Sequence, residues 1–241
     1  MDNFFVAGQG CGSNKHGFLT GLVNRGLQSL KTSYRVQQLP NNMADMTTTE
    51  QRINYFHLLD SVIANNIAGD VVELGCFTGQ CALLFQRVIR MHHSSKALHL
   101  YDSFEVKLTV KGNVEDVLIS NFKGAGLPLP GIHKGYFQDT LSSQLPARIA
   151  FAHIDCGYGG DPSLHKATVL HCLESVYPRM SAGAVCVLMD YQDTASDAAR
   201  YDVNPGVKLA CDEFLASKVE TVTSLYGNQY SHGFFRKAGR P

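Results

Sequence analysis

The stretch VVELGCFTGQ (Val71–Gln80) combines an apolar strand, a turn that contains glycine and the start of a helix. Residues 71–74 predict a short buried strand, and a helical pattern follows over 81–92. Gly75 and Gly79 allow a tight turn in which backbone N–H groups approach a ligand closely. A unit of this kind is the first half of the βαβ repeat from which α/β folds are built.

Strands and helices continue to alternate after this unit. The patterns predict strands at 97–101, 132–137, 149–154 and 184–189, and helices at 163–177 and 207–218. A long insertion occupies 103–131, and little room for a helix remains between the third and fourth strands. Two final apolar segments flank Gly227-Asn228, which is typical of a hairpin. The chain is therefore predicted to form an α/β fold with a doubly wound, mostly parallel sheet and a C-terminal antiparallel hairpin.

The N-terminal part of the chain has a different character. We interpret 1–45 as an N-terminal arm or lid with a helical appendage at 17–31, and 46–241 as the main domain. The sequence Thr47-Thr48-Thr49-Glu50 has the Thr-x-x-Glu spacing of a capping box, which predicts the start of a helix. The apolar face expected for that helix consists of Ile53, Phe56, Leu59, Val62 and Ile63.

Composition excludes several classes of partner. Lys+Arg and Asp+Glu are both 21 among 241 residues, and this balance argues against a dedicated nucleic-acid binder. The sequence contains no apolar run of the roughly 20 residues that a membrane span needs, and its first residues lack the pattern of a signal peptide. Seven cysteines without a Cys-x-x-Cys pair fit a reducing compartment. We expect a cytoplasmic protein with a small-molecule partner, and with neither nucleic acid nor membrane as a partner.

An acidic residue precedes the glycine turn. The turn reads Gly-x-x-x-Gly, whereas a nicotinamide-binding loop reads Gly-x-Gly-x-x-Gly. Glu73 stands two residues before Gly75, where a carboxylate would repel a pyrophosphate but pair with an ammonium group. S-adenosylmethionine (SAM) carries an α-ammonium and a sulfonium and no phosphate. The turn therefore favours SAM over a nicotinamide dinucleotide, and the alternative is an ordinary strand–helix turn with a solvated Glu73.

A second acid ends the next strand. Asp102 follows the glycine turn by about 20 residues, where Rossmann-type folds place a carboxylate on ribose hydroxyls. The alternative is an exposed aspartate at the end of a strand. Two acids in corresponding positions strengthen the prediction of a nucleoside-containing cofactor.

Six segments of the chain carry a resemblance to one known family. They are TTTEQRINYFHLLDSVIANNIAGDVVELGCFTGQ, LYDSFE, GYFQDTL, IAFAHIDC, LESVYPRMSAGAVCVLMDY and PGVKLACDEF. They resemble the macrocin (TylF-type) O-methyltransferase family, whose members are class I SAM-dependent methyltransferases of sugar hydroxyls in natural products. The resemblance runs from about Met46 to about Leu215, and the block HIDC…YPR…MDY is its most particular part. The first forty-odd residues and the final hairpin match only loosely.

The resemblance implies a Rossmann-like class I methyltransferase fold and a set of cofactor-binding residues. It implies that Glu73, Gly75 and Gly79 hold the methionine end of SAM and that Asp102 holds the ribose. Ser103 and Phe104 would lie near the adenosine, and Gly135, Tyr136 and Phe137 would flank the adenine. Met46 would belong to a segment that closes over the cofactor.

Two further aspartates follow the fourth and fifth strands. Asp155 and Asp190 should share one rim, because ligands bind at the carboxyl ends of such strands. A carboxylate there takes the proton from an attacking hydroxyl. Two or three carboxylates instead hold Mg²⁺, which orients and acidifies that hydroxyl. In the family, the first of these aspartates is the catalytic base and a metal ligand.

The chain departs from the family at the metal site. Gly157 stands where the family has a second aspartate after Asp155, and Met189 stands where it has the first member of an acidic pair before the tyrosine. A thioether is a poor ligand for Mg²⁺. The predicted site of Asp155 and Asp190 is therefore weakened, lost, or completed by another acid. The acids considered are Asp161, Asp193 and Asp197.

Other residues are weaker candidates. His165, at the start of a helix near the mouth of the site, and Tyr191 are predicted to touch the acceptor, whereas His153 is expected to be a packed histidine. The leading interpretation is an O-methyltransferase of secondary metabolism that methylates a sugar or another small acceptor. The alternatives are an N- or C-methyltransferase, or a SAM-binding protein without catalysis. A homo-oligomer is predicted from the family and from apolar residues of the N-terminal helix, which are Phe18, Leu19, Leu22 and Val23.

Overall fold

The computed structural model describes residues 18–31, 46–108, 110–156, 160–193, 204–225, 227 and 231–239. Contacts divide the chain into two units, Met1–Met46 and Thr47–Pro241. In the first unit, Phe18–Ser29 form helix α1, as the sequence predicted. Leu22 and Val23 of α1 are about half exposed.

The second unit alternates helices and strands. The elements in chain order are α2 (Thr49–Ala64), β1 (Asp70–Leu74), α3 (Gln80–Met91), β2 (Leu98–Asp102), α4 (Val114–Gly124), β3 (Gly131–Lys134), α5 (Phe137–Gln144), β4 (Ile149–Ile154), α6 (Pro162–Val176), β5 (Met180–Met189), α7 (Gly206–Leu215), β6 (Thr223–Leu225) and β7 (His232–Arg236). One 3₁₀ turn at Tyr177–Arg179 joins α6 to β5.

One sheet collects the seven strands of the described residues in the order β3-β2-β1-β4-β5-β7-β6. The pairs among the first five strands are parallel. Strand β7 is antiparallel to both β5 and β6, so it lies inside the sheet and β6 forms the edge. The predicted fold class and closing hairpin are confirmed, although Asn228 of the predicted turn lies outside the described residues.

The region around the third strand differs from the prediction. The strand ends at Lys134 rather than at 137, and the eight-residue helix α5 follows it. Gly135 interrupts the strand with φ +146°, and the backbone N–H groups of Asp139 and Thr140 both donate to the carbonyl oxygen of Tyr136. The sequence left little room for a helix between the third and fourth strands, but one tight turn leaves enough chain for α5.

Helix α2 begins one residue later than its predicted cap. Thr48 is the N-cap residue, and its capping box closes with Gln51 rather than pairing Thr47 with Glu50. The buried face is also rotated from the prediction, since Tyr55 is fully buried and Ile53 is 38% exposed. On this face, the ring of Tyr55 lies against the rings of His153 and His232 of the sheet.

The centre of the sheet is buried on both faces. Every residue of β4 is buried, as are the last six residues of β5. Within the described residues, no helix is both long and apolar enough to cross a membrane. The six described cysteines are free and buried.

Candidate cofactor and acceptor site

The glycine turn is clamped between two neighbouring strands. The N–H of Gly75 donates to the Tyr101 carbonyl at 2.8 Å, and the N–H of Asp155 donates to the Leu74 carbonyl at 2.8 Å. Gly75 has φ +85°, and a Cβ there would lie 1.8 Å from the carbonyl oxygen of Asp155. Glycine is required at this position because backbone fills the space of a side chain. Gly79, the N-cap residue of α3, has φ +80°.

Asp102 holds the glycine turn from the end of β2. Its Oδ2 accepts hydrogen bonds from the N–H groups of Cys76 and Phe77, each at 2.9 Å. Its Oδ1 accepts the N–H of Phe104 at 2.8 Å. Each carboxylate oxygen has more than one acceptor position, so these bonds leave capacity for ribose hydroxyls. Asp102 therefore lies where the sequence predicted and also supports the loop, a role that the sequence did not reveal.

The residues predicted near the adenosine lie beside Asp102. The N–H of Gly135 donates to the Asp102 carbonyl at 3.0 Å, which brings the ends of β2 and β3 together. Phe104 is buried with φ +57°, whereas Tyr136 is 55% exposed and donates its hydroxyl to Glu105. Ser103 accepts the N–H of Glu105 at 3.3 Å. Phe137, the first residue of α5, packs against the hydrophobic core.

Glu73 lies beneath the glycine turn and is 1% exposed. Its Oε1 is 3.0 Å from Nδ1 of His153, its register partner on β4. Burial raises the pKa of Glu73, and His153 opposes that effect. Its other oxygen, Oε2, is buried and has no hydrogen-bond partner within the described residues. Contact between Glu73 and the methionine end of a cofactor stays a prediction. Met46, at the end of the first unit, is 41% exposed, and its contact with a cofactor stays a prediction.

Asp155 and Asp190 share one narrow pocket at the ends of β4 and β5. Burial raises the pKa of Asp155 to about 7; the charge of His153 lowers it, whereas the carboxylate of Asp190 raises it further. Asp190 has φ +60° and accepts the side-chain amide of Asn204 at 2.7 Å. Neighbouring carboxylates disfavour each other's ionisation, so this arrangement suits a base that works near neutral pH. The pocket is lined by Ile154, Asp155, Cys156, His165, Val169, Met189, Asp190 and Val207.

The two predicted acceptor contacts have structural partners. His165 lines the pocket, but its Nε2 lies 2.8 Å from the carbonyl oxygen of Cys156 and ties α6 to the end of β4. Tyr191 is 6% exposed and belongs to the hydrophobic core. Burial raises the pKa of its hydroxyl. Both residues shape the pocket, and their contact with an acceptor stays a prediction.

Met189 occupies the position where a further metal-binding acid would stand. Its sulfur accepts hydrogen bonds from Nε2 of Gln51 at 3.2 Å and from the hydroxyl of Tyr55 at 3.1 Å. Sequence patterns did not indicate Gln51 and Tyr55, because both lie on α2, far away in the chain.

The donor set fits Mg²⁺ poorly. Two carboxylates line the pocket, and the neighbouring thioether is a soft donor that a hard cation disfavours. Asp161 caps α6 by accepting the N–H groups of Ser163 and Leu164, and Asp197 lies outside the described residues. The pocket therefore does not offer the set of oxygen ligands that Mg²⁺ prefers.

The strand order, the glycine turn after β1 and the acids at the strand ends together define the class I O-methyltransferase fold. The structure of the O-methyltransferase NovP superposes with a TM-score of 0.66 at 20% identity, covering 84% of this chain and 85% of that one. TomG from Streptomyces achromogenes, solved in complex with SAM, gives a TM-score of 0.54 at 16% identity, covering 93% and 92%.

The sequence comparison agrees with the fold. The family model described as macrocin O-methyltransferase (TylF) matches residues 25–117, so the resemblance to that family is confirmed over this range. The 8-demethyl-8-(2,3-dimethoxy-alpha-L-rhamnosyl)-tetracenomycin-C 4'-O-methyltransferase of Streptomyces olivaceus is 28% identical over 169 residues. The alignment covers 61% of each protein, so the chain matches about three fifths of that relative's length.

Proposed function

We propose that the protein is a SAM-dependent O-methyltransferase of natural-product biosynthesis that methylates a hydroxyl of a sugar or another small acceptor. The observation that carries this proposal is the position of Asp155. Its backbone closes onto the glycine turn at Leu74, and its carboxylate faces the pocket that it shares with Asp190. A cofactor held by the turn and an acceptor in the pocket would therefore meet at Asp155. The rhamnosyl substrate of the tetracenomycin relative supports a sugar as the acceptor.

The residues around the turn would hold SAM. Gly75 and Gly79 leave the backbone of the turn open to close approach, and Asp102 offers its remaining acceptor positions to the ribose. Ser103, Phe104 and the segment Gly135–Phe137 lie beside Asp102 and would flank the adenosine. The SAM complex of TomG, which has this fold, supports the same cofactor here.

SAM, when bound, supplies an electrophilic methyl group on its sulfonium. Asp155 accepts the proton that the acceptor hydroxyl loses as its oxygen attacks that methyl group. A pKa near 7 makes the carboxylate a stronger base than an ordinary aspartate, while about half of it is still ionised at neutral pH. Most of the rate enhancement would come from holding both substrates in line.

The test is incubation with SAM and a panel of rhamnosides and related glycosides, with product analysis by mass spectrometry and NMR. We expect a mass gain of one methylene group, located on a sugar oxygen. Asp155→Asn should abolish turnover, whereas Asp161→Asn, which keeps the helix cap, should leave it intact. A methyl group on nitrogen or carbon would favour the N- or C-methyltransferase, and SAM binding without turnover across the panel would favour a non-catalytic protein.

Two further properties belong to this proposal. The buried, free cysteines support a cytoplasmic location. The equal numbers of basic and acidic residues support a small molecule rather than nucleic acid as the partner. The exposed Leu22 and Val23 of α1 support a homo-oligomer, since apolar side chains on one helix are commonly covered by a second copy. Sedimentation at micromolar concentration tests the oligomer, and a purely monomeric species would contradict it.

A further inference from the structure

Two histidine rings meet on one face of the sheet, on the strands β2 and β3. His99 is the second residue of β2, and His133 is the third residue of β3. Nδ1 of His99 and Nε2 of His133 are 3.1 Å apart, and the ring centroids are 5.3 Å apart. Asp102 follows His99 by three residues, so its side chain points to the opposite face of the sheet. The histidine pair is therefore separate from the predicted cofactor contacts of Asp102.

Each ring faces an oxygen atom on its outer side. Nδ1 of His133 lies 2.9 Å from Oε1 of Gln144 at the end of α5. Nε2 of His99 lies 3.7 Å from Oδ2 of Asp70, the first residue of β1. An oxygen acceptor favours the tautomer in which the facing ring nitrogen carries the proton. The outer nitrogens of both rings are therefore assigned the protons.

The same tautomers leave a lone pair on each inner nitrogen. A neutral imidazole has one donor and one acceptor nitrogen, so Nδ1 of His99 and Nε2 of His133 are both acceptors. Two acceptors 3.1 Å apart repel each other unless they share a cation, which is either a proton or a metal ion. Burial and the neighbouring His133 lower the pKa of His99, and this disfavours the proton.

The space beside the inner nitrogens is open. Gly131, the register partner of His99 on β3, is exposed. The three atoms nearest to its ideal Cβ position are Nδ1 of His99 at 3.3 Å, Nε2 of His133 at 3.5 Å and the carbonyl oxygen of Leu98 at 3.7 Å. Because Gly131 has no side chain, this space can hold an ion and its water ligands.

We propose that His99 and His133 bind one divalent cation of the zinc class through their inner nitrogens. Neutral imidazole suits zinc, copper and nickel, whereas Mg²⁺ prefers oxygen ligands. The separation of 3.1 Å is close to the roughly 3.3 Å between adjacent nitrogen ligands of tetrahedral zinc. Asp70 and Gln144 act as the outer acceptors that commonly orient metal-bound histidines. Water completes the coordination, as it does in open zinc sites.

The ion would join β2 to β3, an edge strand of four residues. Two strands, β2 and β1, separate β3 from β4, the strand that leads to Asp155. The site is therefore independent of the proposed methyl transfer. Its expected effect is on stability, because a ligand that binds only the folded chain shifts unfolding to higher temperature.

The experiment is a calorimetric titration of the metal-free, full-length chain with Zn²⁺ near pH 7.5, followed by thermal unfolding with and without the metal. We expect one equivalent to bind the native chain and to raise its Tm. The variants His99→Gln and His133→Gln should lose this binding and the rise in Tm. His57→Gln, which replaces an exposed histidine of α2, is the matched control and should behave as the native chain does.

Two further variants keep both proposed ligands and test the tautomer argument. Asp70→Asn can still accept the N–H of Ala97, but it presents an N–H group to Nε2 of His99 and so moves the ring proton to Nδ1. Affinity for Zn²⁺ should fall about 10–100-fold, the usual effect of losing an outer partner. Gln144→Glu keeps an acceptor at Nδ1 of His133 and should bind Zn²⁺ at least as tightly as the native chain.

The native chain alone also decides the question where a variant fails to fold. Its imidazole ¹⁵N resonances should show Nδ1 of His99 and Nε2 of His133 shifting when Zn²⁺ is added. A native chain without these shifts would overturn the proposal and assign the shared cation to a proton. Equal zinc affinity in His99→Gln or His133→Gln would place the metal elsewhere and overturn it too. Neither result would bear on methyl transfer, which is measured separately.

Discussion

The carbonyl oxygen of Asp155 occupies the space that a side chain would need at Gly75, 1.8 Å from the ideal position of a Cβ. The glycine turn and Asp155, the aspartate that we propose as the base, are thus fixed to each other by backbone, before any side chain is considered. This contact explains why a left-handed glycine follows β1 directly. It also means that a side chain added at Gly75 would disturb the packing of β1 against β4.

Gly75→Ala should destabilise the protein by more than about 3 kcal/mol, because the new methyl group meets backbone that cannot move without separating β1 from β4. Gly112→Ala is the matched control. Gly112 also has a positive φ, +97°, but has no atom within 4 Å of its Cβ position. The Gly112→Ala variant should therefore lose only the roughly 1–2 kcal/mol of stability that a left-handed backbone costs a residue with a side chain. Urea unfolding measures both variants, and equal losses would contradict the close-approach argument.

Asp102→Ala should weaken SAM binding by roughly 1–3 kcal/mol, the size of a hydrogen bond to a charged group. It should also lower stability, because Asp102 accepts three backbone N–H groups. Calorimetric titration with SAM and thermal unfolding separate the two effects. Lower stability with unchanged affinity would leave Asp102 as a support of the turn and would remove its ribose contact.

Turnover should depend on the ionisation of Asp155. Because burial raises the pKa of Asp155 to about 7, kcat/KM should rise with pH below that value and level off above it. The measurement is a pH profile with saturating SAM, from about pH 5 to 9. A flat profile would show that the chemical step does not need this carboxylate in its basic form.

Asp155→Asn should make the folded protein more stable at neutral pH. A carboxyl whose pKa is raised on folding holds its proton more tightly in the native state, so native stability falls as pH rises from about 4 through about 7. The variant lacks this loss. The difference in the free energy of unfolding between the variant and the native chain should be absent near pH 4. Above pH 7 it should reach at least about 1 kcal/mol in favour of the variant, or roughly 2–4 °C in Tm. A variant less stable than the native chain at pH 8 would contradict the raised pKa.

Met189→Asp should introduce a response to Mg²⁺ that the native chain lacks. Without metal, an added carboxylate beside Asp155 and Asp190 should cost roughly 3 kcal/mol, the scale of an uncompensated buried charge. Added Mg²⁺ should restore Tm and make turnover sensitive to EDTA. Met189→Leu is the control, since it removes the sulfur acceptor of Gln51 and Tyr55 without adding charge. Strong EDTA inhibition of the native chain, reversed by Mg²⁺, would show that Asp155 and Asp190 suffice for a metal.

The fold class could be predicted because its signals are local. A short apolar strand, a turn with glycines and an amphipathic helix each occupy a few consecutive residues, and their alternation dictates a parallel sheet. Helix α5 was missed because its eight residues carry too little periodicity to distinguish a helix from a loop. Leu59, Val62 and Ile63 of α2 are buried as predicted. The rest of the buried face was missed because hydropathy alone does not anticipate a buried Gln51 or Arg52.

The sequence by itself determined the fold class and the placement of Asp102, Asp155 and Asp190 at one edge of the sheet, because parallel strands end on the same side. Only the tertiary structure decided which groups these acids face. Glu73 and His153 are 80 residues apart in the chain, and Tyr55 and Met189 are 134 apart. No local pattern encodes such pairs, since they arise when strands align in register and a helix packs across them. Burial, the raised pKa of Asp155 and the buried contact between Glu73 and His153 all follow from that packing.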